Sequence, residues 1–291
     1  MSRLTGVARL LAWVGLCWFA AAAHAERAGT STGLGEAALA DRYPEQAVWL
    51  ALGDDGRALG LLQPETVTPA KAALLILAEE GQSAAQSVLG GLLPALAERR
   101  VAVMSLGVPI APESLRQRRA QRPNPVPESG AEATADSPQT GSVMIDLAAG
   151  EDPEQAAASY RARILATLDA AAAELQARGY EEIAVAGIGW SAGHATDWAL
   201  AQGELAGLIW VAGRFPPGQA GALAEQLTGL GDWRVLDLQD PRVDPGGQDR
   251  AAAMARAQVP GYQWQTVPVD DWAVRVSAER LASRISAWIN P

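Results

Sequence analysis

Apolar positions in this chain fall into two patterns: short unbroken runs, and longer stretches in which they recur every third or fourth residue. Residues 48–52 and 58–62 are apolar runs joined by Gly53-Asp54-Asp55-Gly56, turn chemistry that predicts a β-hairpin. Residues 72–78 are apolar without alternation, as expected of a strand buried on both faces. A helix is predicted over 83–99, where Leu89, Leu92, Leu93 and Leu96 keep helical spacing, and 101–108 reads as a second buried strand. Asp152-Pro153 then offers an N-cap followed by proline at the first helical position. Tyr160, Ile164, Leu168 and Leu175 mark one face of that helix, and Gly179 ends it. Strands over 183–186, 208–212, 234–238 and 263–269 follow. They alternate with helices over 195–201, near 220–227 and over 249–258, and a last amphipathic helix runs to Ile289.

Strands alternating with helices imply βαβ units, a mostly parallel sheet and helices on both of its faces. The leading hairpin gives that sheet an antiparallel edge, and the count comes to about eight strands. This is the α/β-hydrolase layout, and residues 26–291 suit one such domain. Residues 111–141 interrupt the pattern: they lack apolar periodicity, and Pro123, Pro125 and Pro127 fall at alternate positions. A mobile loop projecting from a strand end is expected there. Its Arg116, Arg118, Arg119 and Arg122 read as solvated charges balancing an acidic body rather than as an anion contact or a lid.

Composition narrows the function classes. With 291 residues, 49% of them hydrophobic and 19% charged, the chain is neither disordered nor collagen-like. Acidic residues number 33 against 23 basic ones, all but Lys71 arginine, and the formal charge of −10 makes nucleic acid an unsuitable partner. Residues 1–25 read as a secretory signal: Arg3 and Arg9 precede an apolar run over 10–22, and Ala23-His24-Ala25 is a small-x-small cleavage site. The run is short for a membrane span, which needs about 20 residues, so a periplasmic or secreted protein with no span after cleavage is expected. Cleavage removes Cys17, and with it any disulfide, metal thiolate or cysteine nucleophile. It also removes His24 and leaves His194 as the one histidine. Neither a metal nor a cofactor is expected.

Gly189-Trp190-Ser191-Ala192-Gly193 matches G-x-S-x-G, the nucleophile elbow, after an apolar strand and before helix-compatible sequence. Gly187-Ile188-Gly189-Trp190-Ser191 has the same outline, puts Gly189 in the nucleophile position and stands equal with the first frame. Gly187-Ile188-Gly189-Trp190-Ser191-Ala192 also satisfies the dinucleotide fingerprint G-x-G-x-x-A, but Ala212-Gly213-Arg214 stands at the end of the next strand, where an acidic residue would be needed. A hydrolase of this order needs an acid after the next-to-last strand and a histidine after the last. Asp240 and Asp244 fill the acid position, whereas the last strand is followed by Asp270-Asp271-Trp272 and no histidine. A carboxylate there is a weak base near neutrality and supplies no positive charge in the transition state. The candidate catalytic set is therefore Ser191, His194, Asp240 and Asp244, with His194 or Asp271 assisting Ser191 only in an atypical arrangement. Glu79-Glu80 at the end of the third strand would oppose a developing oxyanion. Trp190 and Trp198 are candidates for lining a pocket or for filling the helix–sheet interface.

The leader, Leu77-Ala78-Glu79-Glu80-Gly81-Gln82, the Pro-rich stretch after Leu106-Gly107-Val108-Pro109, and the terminal RLASRISAWI resemble an exported bacterial α/β-hydrolase-type family of unknown function. That resemblance spans about residues 39–289 and implies the fold and an envelope location, but no substrate. The expectation is a periplasmic protein whose hydrolytic site is degenerate and which binds a small molecule or an envelope protein. The alternative is a weak serine esterase using Ser191.

Overall fold

The computed structural model describes residues 35–53, 56–70, 72–120, 152–202, 205–228, 234–268 and 274–289. The proposed leader over 1–25, residues 121–141 of the Pro-rich stretch, and Asp270 and Asp271 lie outside the described residues.

A short helix α1 (Glu36–Arg42) precedes the hairpin strands β1 (Ala47–Ala51) and β2 (Arg57–Gln63). Then come β3 (Ala72–Glu80), α2 (Leu89–Ala97), β4 (Val101–Val108), α3 (Glu113–Ala120) and the long α4 (Pro153–Ala177). The second half alternates strictly: β5 (Ile183–Ile188), α5 (Ser191–Ala201), β6 (Gly207–Val211), α6 (Ala220–Thr228), β7 (Val235–Gln239), α7 (Gly247–Arg256), β8 (Tyr262–Thr266) and α8 (Val274–Ile289). One eight-stranded sheet has the order β1-β2-β4-β3-β5-β6-β7-β8. The β1–β2 and β2–β4 pairs are antiparallel and every later pair is parallel.

The unbroken apolar runs are central strands, because covering helices leave neither face wet. Leu74, Leu75 and Ile76 of β3 are all fully buried. The pleat sends alternate residues to opposite faces. Leu75, Leu77, Met104, Val185 and Trp210 meet α4 and α5 through Ile164, Leu168 and Trp198. Leu74, Ile76, Val103, Ala186 and Ile209 meet α2 and α8 through Leu92, Leu96, Leu281 and Ile285. The buried stripe of α8 is Ala278, Leu281, Ala282, Ile285 and Trp288, the spacing of one helical face. Arg234 fixes the end of that stripe by lying over the Trp288 ring at 4.5 Å and donating to its backbone carbonyl. Among the described residues no helix is long and apolar enough to cross a membrane.

Several predicted boundaries move. The helix predicted over 83–99 starts only at Leu89, since Ser87 takes φ 56°, a left-handed conformation that a helix interior does not hold. The strand predicted over 263–269 is Tyr262–Thr266; it is a sheet edge with Trp264 half-exposed, so burial does not extend its pattern. The loop predicted from 111 is helical over Glu113–Ala120. Glu113 lies in the first turn and Arg118 and Arg119 in the last, the charge order that a helix dipole favours.

Removing the Leu281 side chain would open a cavity between α8 and the sheet. Leu281→Ala is expected to cost ~2–5 kcal/mol of unfolding free energy, read from urea titration.

Candidate functional site

Strand β5 ends at Ile188, and Gly189 and Trp190 make a two-residue turn into α5. Gly189 has φ 56°, the left-handed conformation in which glycine avoids the side-chain clash. A Cβ on Gly187 would lie 2.4 Å from the Ser191 carbonyl and 2.6 Å from Ala192 Cα, so the start of α5 packs directly on that glycine. A Cβ on Gly193 would meet nothing within 4 Å. Close approach thus falls at Gly187 and the strained turn at Gly189, which selects the frame 187–191 over 189–193.

Ser191 is the first residue of α5 rather than the tip of the turn, it is 0% exposed, and its Oγ has no hydrogen-bond partner among the described residues. An elbow nucleophile has its hydroxyl exposed above the sheet.

The place beside Gly189 belongs to Glu79, near the end of β3. A Cβ on Gly189 would fall 1.5 Å from Glu79 Oε2. Glu79 Oε1 accepts from the backbone N–H of Trp190 at 3.0 Å and of Glu80 at 3.1 Å, while Oε2 accepts from Arg214. Those two amides lie where this layout places an oxyanion hole: one on the residue after the elbow tip, the other at the very end of the third strand. The Trp190 amide is also an orphan donor of the α5 N-terminus, where a carboxylate is favoured. Arg214 comes from the segment after β6, and its own N–H donates to the Gly189 carbonyl at 2.9 Å. The ends of β3, β5 and β6 are tied together through one carboxylate.

Glu80, the next residue, engages different partners. Arg119 of α3 grips it with two hydrogen bonds, at 2.5 and 3.0 Å, and His194 Nε2 lies 3.1 Å from Oε1. Facing an ionised carboxylate, that ring nitrogen is the donor. Burial pushes the Glu80 carboxyl upward, but the hydrogen bonds from His194 and Arg119 outweigh it and hold the pKa down to about 2. Tyr160 of α4 stands edge-on to His194 at 5.4 Å and donates to the Pro109 carbonyl at 3.1 Å. Burial, then the Glu80 charge, pushes the Tyr160 hydroxyl far above its ordinary range. Arg119 is thus an ion-pair partner and not a solvated linker charge, and its guanidinium also lies 4.6 Å from the Trp190 ring centre. Arg214 lies over the same ring at 5.5 Å.

The four candidate residues do not converge. Ser191 Oγ has no partner among the described residues and His194 faces Glu80. Asp240 accepts from Arg242 at 2.8 and 3.0 Å. Asp244 accepts from Arg250 at 2.6 Å, within a buried network in which Arg250 also grips Asp237 at two 2.9 Å contacts and Tyr262 donates to Asp237 at 2.8 Å. Burial works against the Arg250 charge, yet the two aspartates outweigh it and hold the guanidinium protonated. Trp198 is 2% exposed and donates to Asp169 at 2.7 Å, so it fills the helix–sheet interface. Trp190, by contrast, stands between two cavities. One, of about 370 Å³, is lined by Glu79, Glu80, Ile110, Arg119 and Arg214 among others. The other is a cleft of about 950 Å³ between α3, α4, α5 and α6. Among the described residues no group of three or more His, Cys, Asp or Glu side chains could hold a metal ion.

The chain's own sequence carried one signal for this arrangement, the charged pair Glu79-Glu80 closing an otherwise apolar strand. Arg214 and Arg119, which neutralise that pair, had no local signal.

A family model described as "Protein of unknown function (DUF3530)" matches residues 20–291. No match is found among curated protein sequences. In structure the chain is similar to the esterase domain of a Rhodothermus marinus protein, at 11% identity over 84% of this chain and 99% of that one, with a TM-score of 0.52. It is similar also to Est1E from Butyrivibrio proteoclasticus, at 11% identity over 84% and 100% of the two chains and a TM-score of 0.52. An esterase of Pyrococcus furiosus gives 10% identity, 84% and 89% coverage and a TM-score of 0.51. At these identities the likeness establishes the α/β-hydrolase fold alone.

Two outcomes are expected at the site. Gly189→Ala should destabilise by ~1–3 kcal/mol through the left-handed backbone and the collision with Glu79. The same change in a Glu79→Ala background should cost at least ~0.5 kcal/mol less, as a double-mutant cycle of denaturant unfolding would read. Since the folded pKa of Glu80 lies below its ordinary 4.5, its ionised form stabilises the fold above pH 4.5, and that contribution is lost as pH falls towards about 2. Wild type should therefore exceed Glu80→Gln in stability most clearly above pH 4.5, with the gap closing towards pH 2.

Proposed function

The chain belongs to the DUF3530 family of proteins of unknown function, and from that premise we propose that it is a non-hydrolytic α/β-hydrolase-fold protein of the bacterial periplasm. It acts by binding a small molecule or an envelope partner over the β5–α5 turn. One observation carries this reading: the Glu79 carboxylate takes up the amides of Trp190 and Glu80 and the space next to Gly189. In a working esterase those amides would stabilise charge that develops on the substrate. Here they already hold a full negative charge, and a substrate oxyanion would meet repulsion instead of donors. The buried, partnerless Ser191 hydroxyl and the engagement of His194 with Glu80 favour the same reading. The periplasmic location rests on the leader pattern of residues 1–25.

The serine-esterase alternative has the fold and the G-x-S-x-G pattern of residues 189–193 behind it. The two separate in a labelling experiment: purified protein incubated with a fluorophosphonate probe should remain unlabelled, and short-chain p-nitrophenyl esters should hydrolyse no faster than in buffer. Covalent labelling of Ser191, or turnover that Ser191→Ala abolishes, would reverse the assignment.

A further inference from the structure

We infer that the cleft between α3, α4, α5 and α6 is a binding site for a single-chain amphiphile with an anionic head, its aliphatic body lying along the helices. The inference rests on the non-hydrolytic reading above and names the ligand class of the same region. At about 950 Å³ the cleft is near the upper end of ligand-site volumes, roughly 300–1,000 Å³. Its apolar lining is chiefly aliphatic: Leu115 of α3, Ala162 and Leu165 of α4 and Leu223 of α6, with Phe215 at one side. The rings of Tyr160, Trp190, His194 and Phe215 also line it, but they are already engaged, Tyr160 edge-on to His194 at 5.4 Å. The guanidinium groups of Arg119 and Arg214 already lie over the Trp190 ring, and Arg250 and Trp210 pack on Phe215. A flexible hydrocarbon chain suits these walls better than a sugar or a planar ring, because it needs only non-directional apolar contact.

Charge identifies the head. The chain carries 33 acidic residues against 23 basic ones. The cleft reverses that balance, with Arg118, Arg119, Arg161 and Arg214 against Glu154 and Asp197 in its lining. Arg119 is committed to Glu80, and Arg161 lies 3.4 Å from Asp197. Arg214 spends one amino group on Glu79 and keeps 37% of its side chain exposed in the cleft lining. Arg118 is exposed and has no ion-pair partner among the described residues. Arg118, with the exposed Arg161 and the part-exposed Arg214 in the same lining, is thus placed to receive an anionic head, and guanidinium donors suit both carboxylate and phosphate oxygens. Of the candidate set Ser191, His194, Asp240 and Asp244, His194 lines the cleft, and its Nε2 is engaged with Glu80 at 3.1 Å.

The probe is cis-parinaric acid, whose fluorescence rises when its chain leaves water. The purified protein should bind it saturably at one site, with displacement by palmitate and by lysophosphatidate at least about tenfold more effective than by hexadecanol, which has the same length but no charge. Ala162→Trp, which fills the cleft from an exposed position, should abolish binding, and Arg118→Glu should weaken it about tenfold or more. Thermal melts check that each variant folds, and exposed Arg118 keeps the test open if the tryptophan variant does not. Absence of saturable binding, equal displacement by hexadecanol, or wild-type affinity in folded Arg118→Glu would overturn the inference. Such failure with the fluorophosphonate still silent leaves the non-hydrolytic reading standing. Labelling of Ser191 with parinarate still bound sinks that reading and spares the binding site.

Discussion

The organisation of the C-terminal edge of the sheet depends on where one carboxylate is held. Glu79 sits near the end of a strand whose first seven residues are apolar and buried, so its charge has to be met locally. It is met by two main-chain amides and a guanidinium, each brought by a different part of the chain. Removing any one of the three would leave a buried charge short of a partner. The turn at Gly189, the start of α5 and the exit of β6 are consequently positioned relative to one another by Glu79, and the cavities on either side of Trp190 inherit their shape from that arrangement.

Two adjacent acids at a strand end make different environments because successive side chains leave a strand in opposite directions. Glu79 turns to the elbow and Arg214; Glu80 turns to His194 on α5 and Arg119 on α3. Helix α3 has no buried residue of its own, so its attachment to the body depends strongly on the Arg119–Glu80 pair and the overlap with Trp190. That pair is itself shielded, with side-chain exposures of 12% and 7%, and is therefore less subject to screening than a surface ion pair. The one described histidine thus serves as a hydrogen-bond donor in an acidic cluster, away from the place where an α/β hydrolase needs a proton shuttle.

The architecture was legible from hydropathy because the sheet is enclosed on both faces. The runs at 72–78 and 101–108 could belong only to central strands, and the glycine- and aspartate-rich turn at 53–56 announced the antiparallel hairpin. The site was harder to read. The elbow sequence contains two overlapping frames two residues apart, and no side-chain pattern chooses between them. The choice lies in the backbone angle at Gly189 and in the crowding at Gly187 against the open space at Gly193. Arg119 was concealed for another reason: its surroundings are polar and proline-rich, while the acid it binds is 39 residues earlier. Ion pairs between distant segments have no periodicity, so sequence carries the residues without the contact. Helix α1, with Leu39 as its only buried residue, was too short to show a pattern.

The interlock of Gly189 and Glu79 couples two positions on separate strand ends, so neither tolerates change alone. A side chain cannot enter at the turn while the carboxylate stands in its space, and the carboxylate cannot leave without stranding Arg214 and two amide donors. Any redesign of this turn therefore has to alter both positions together.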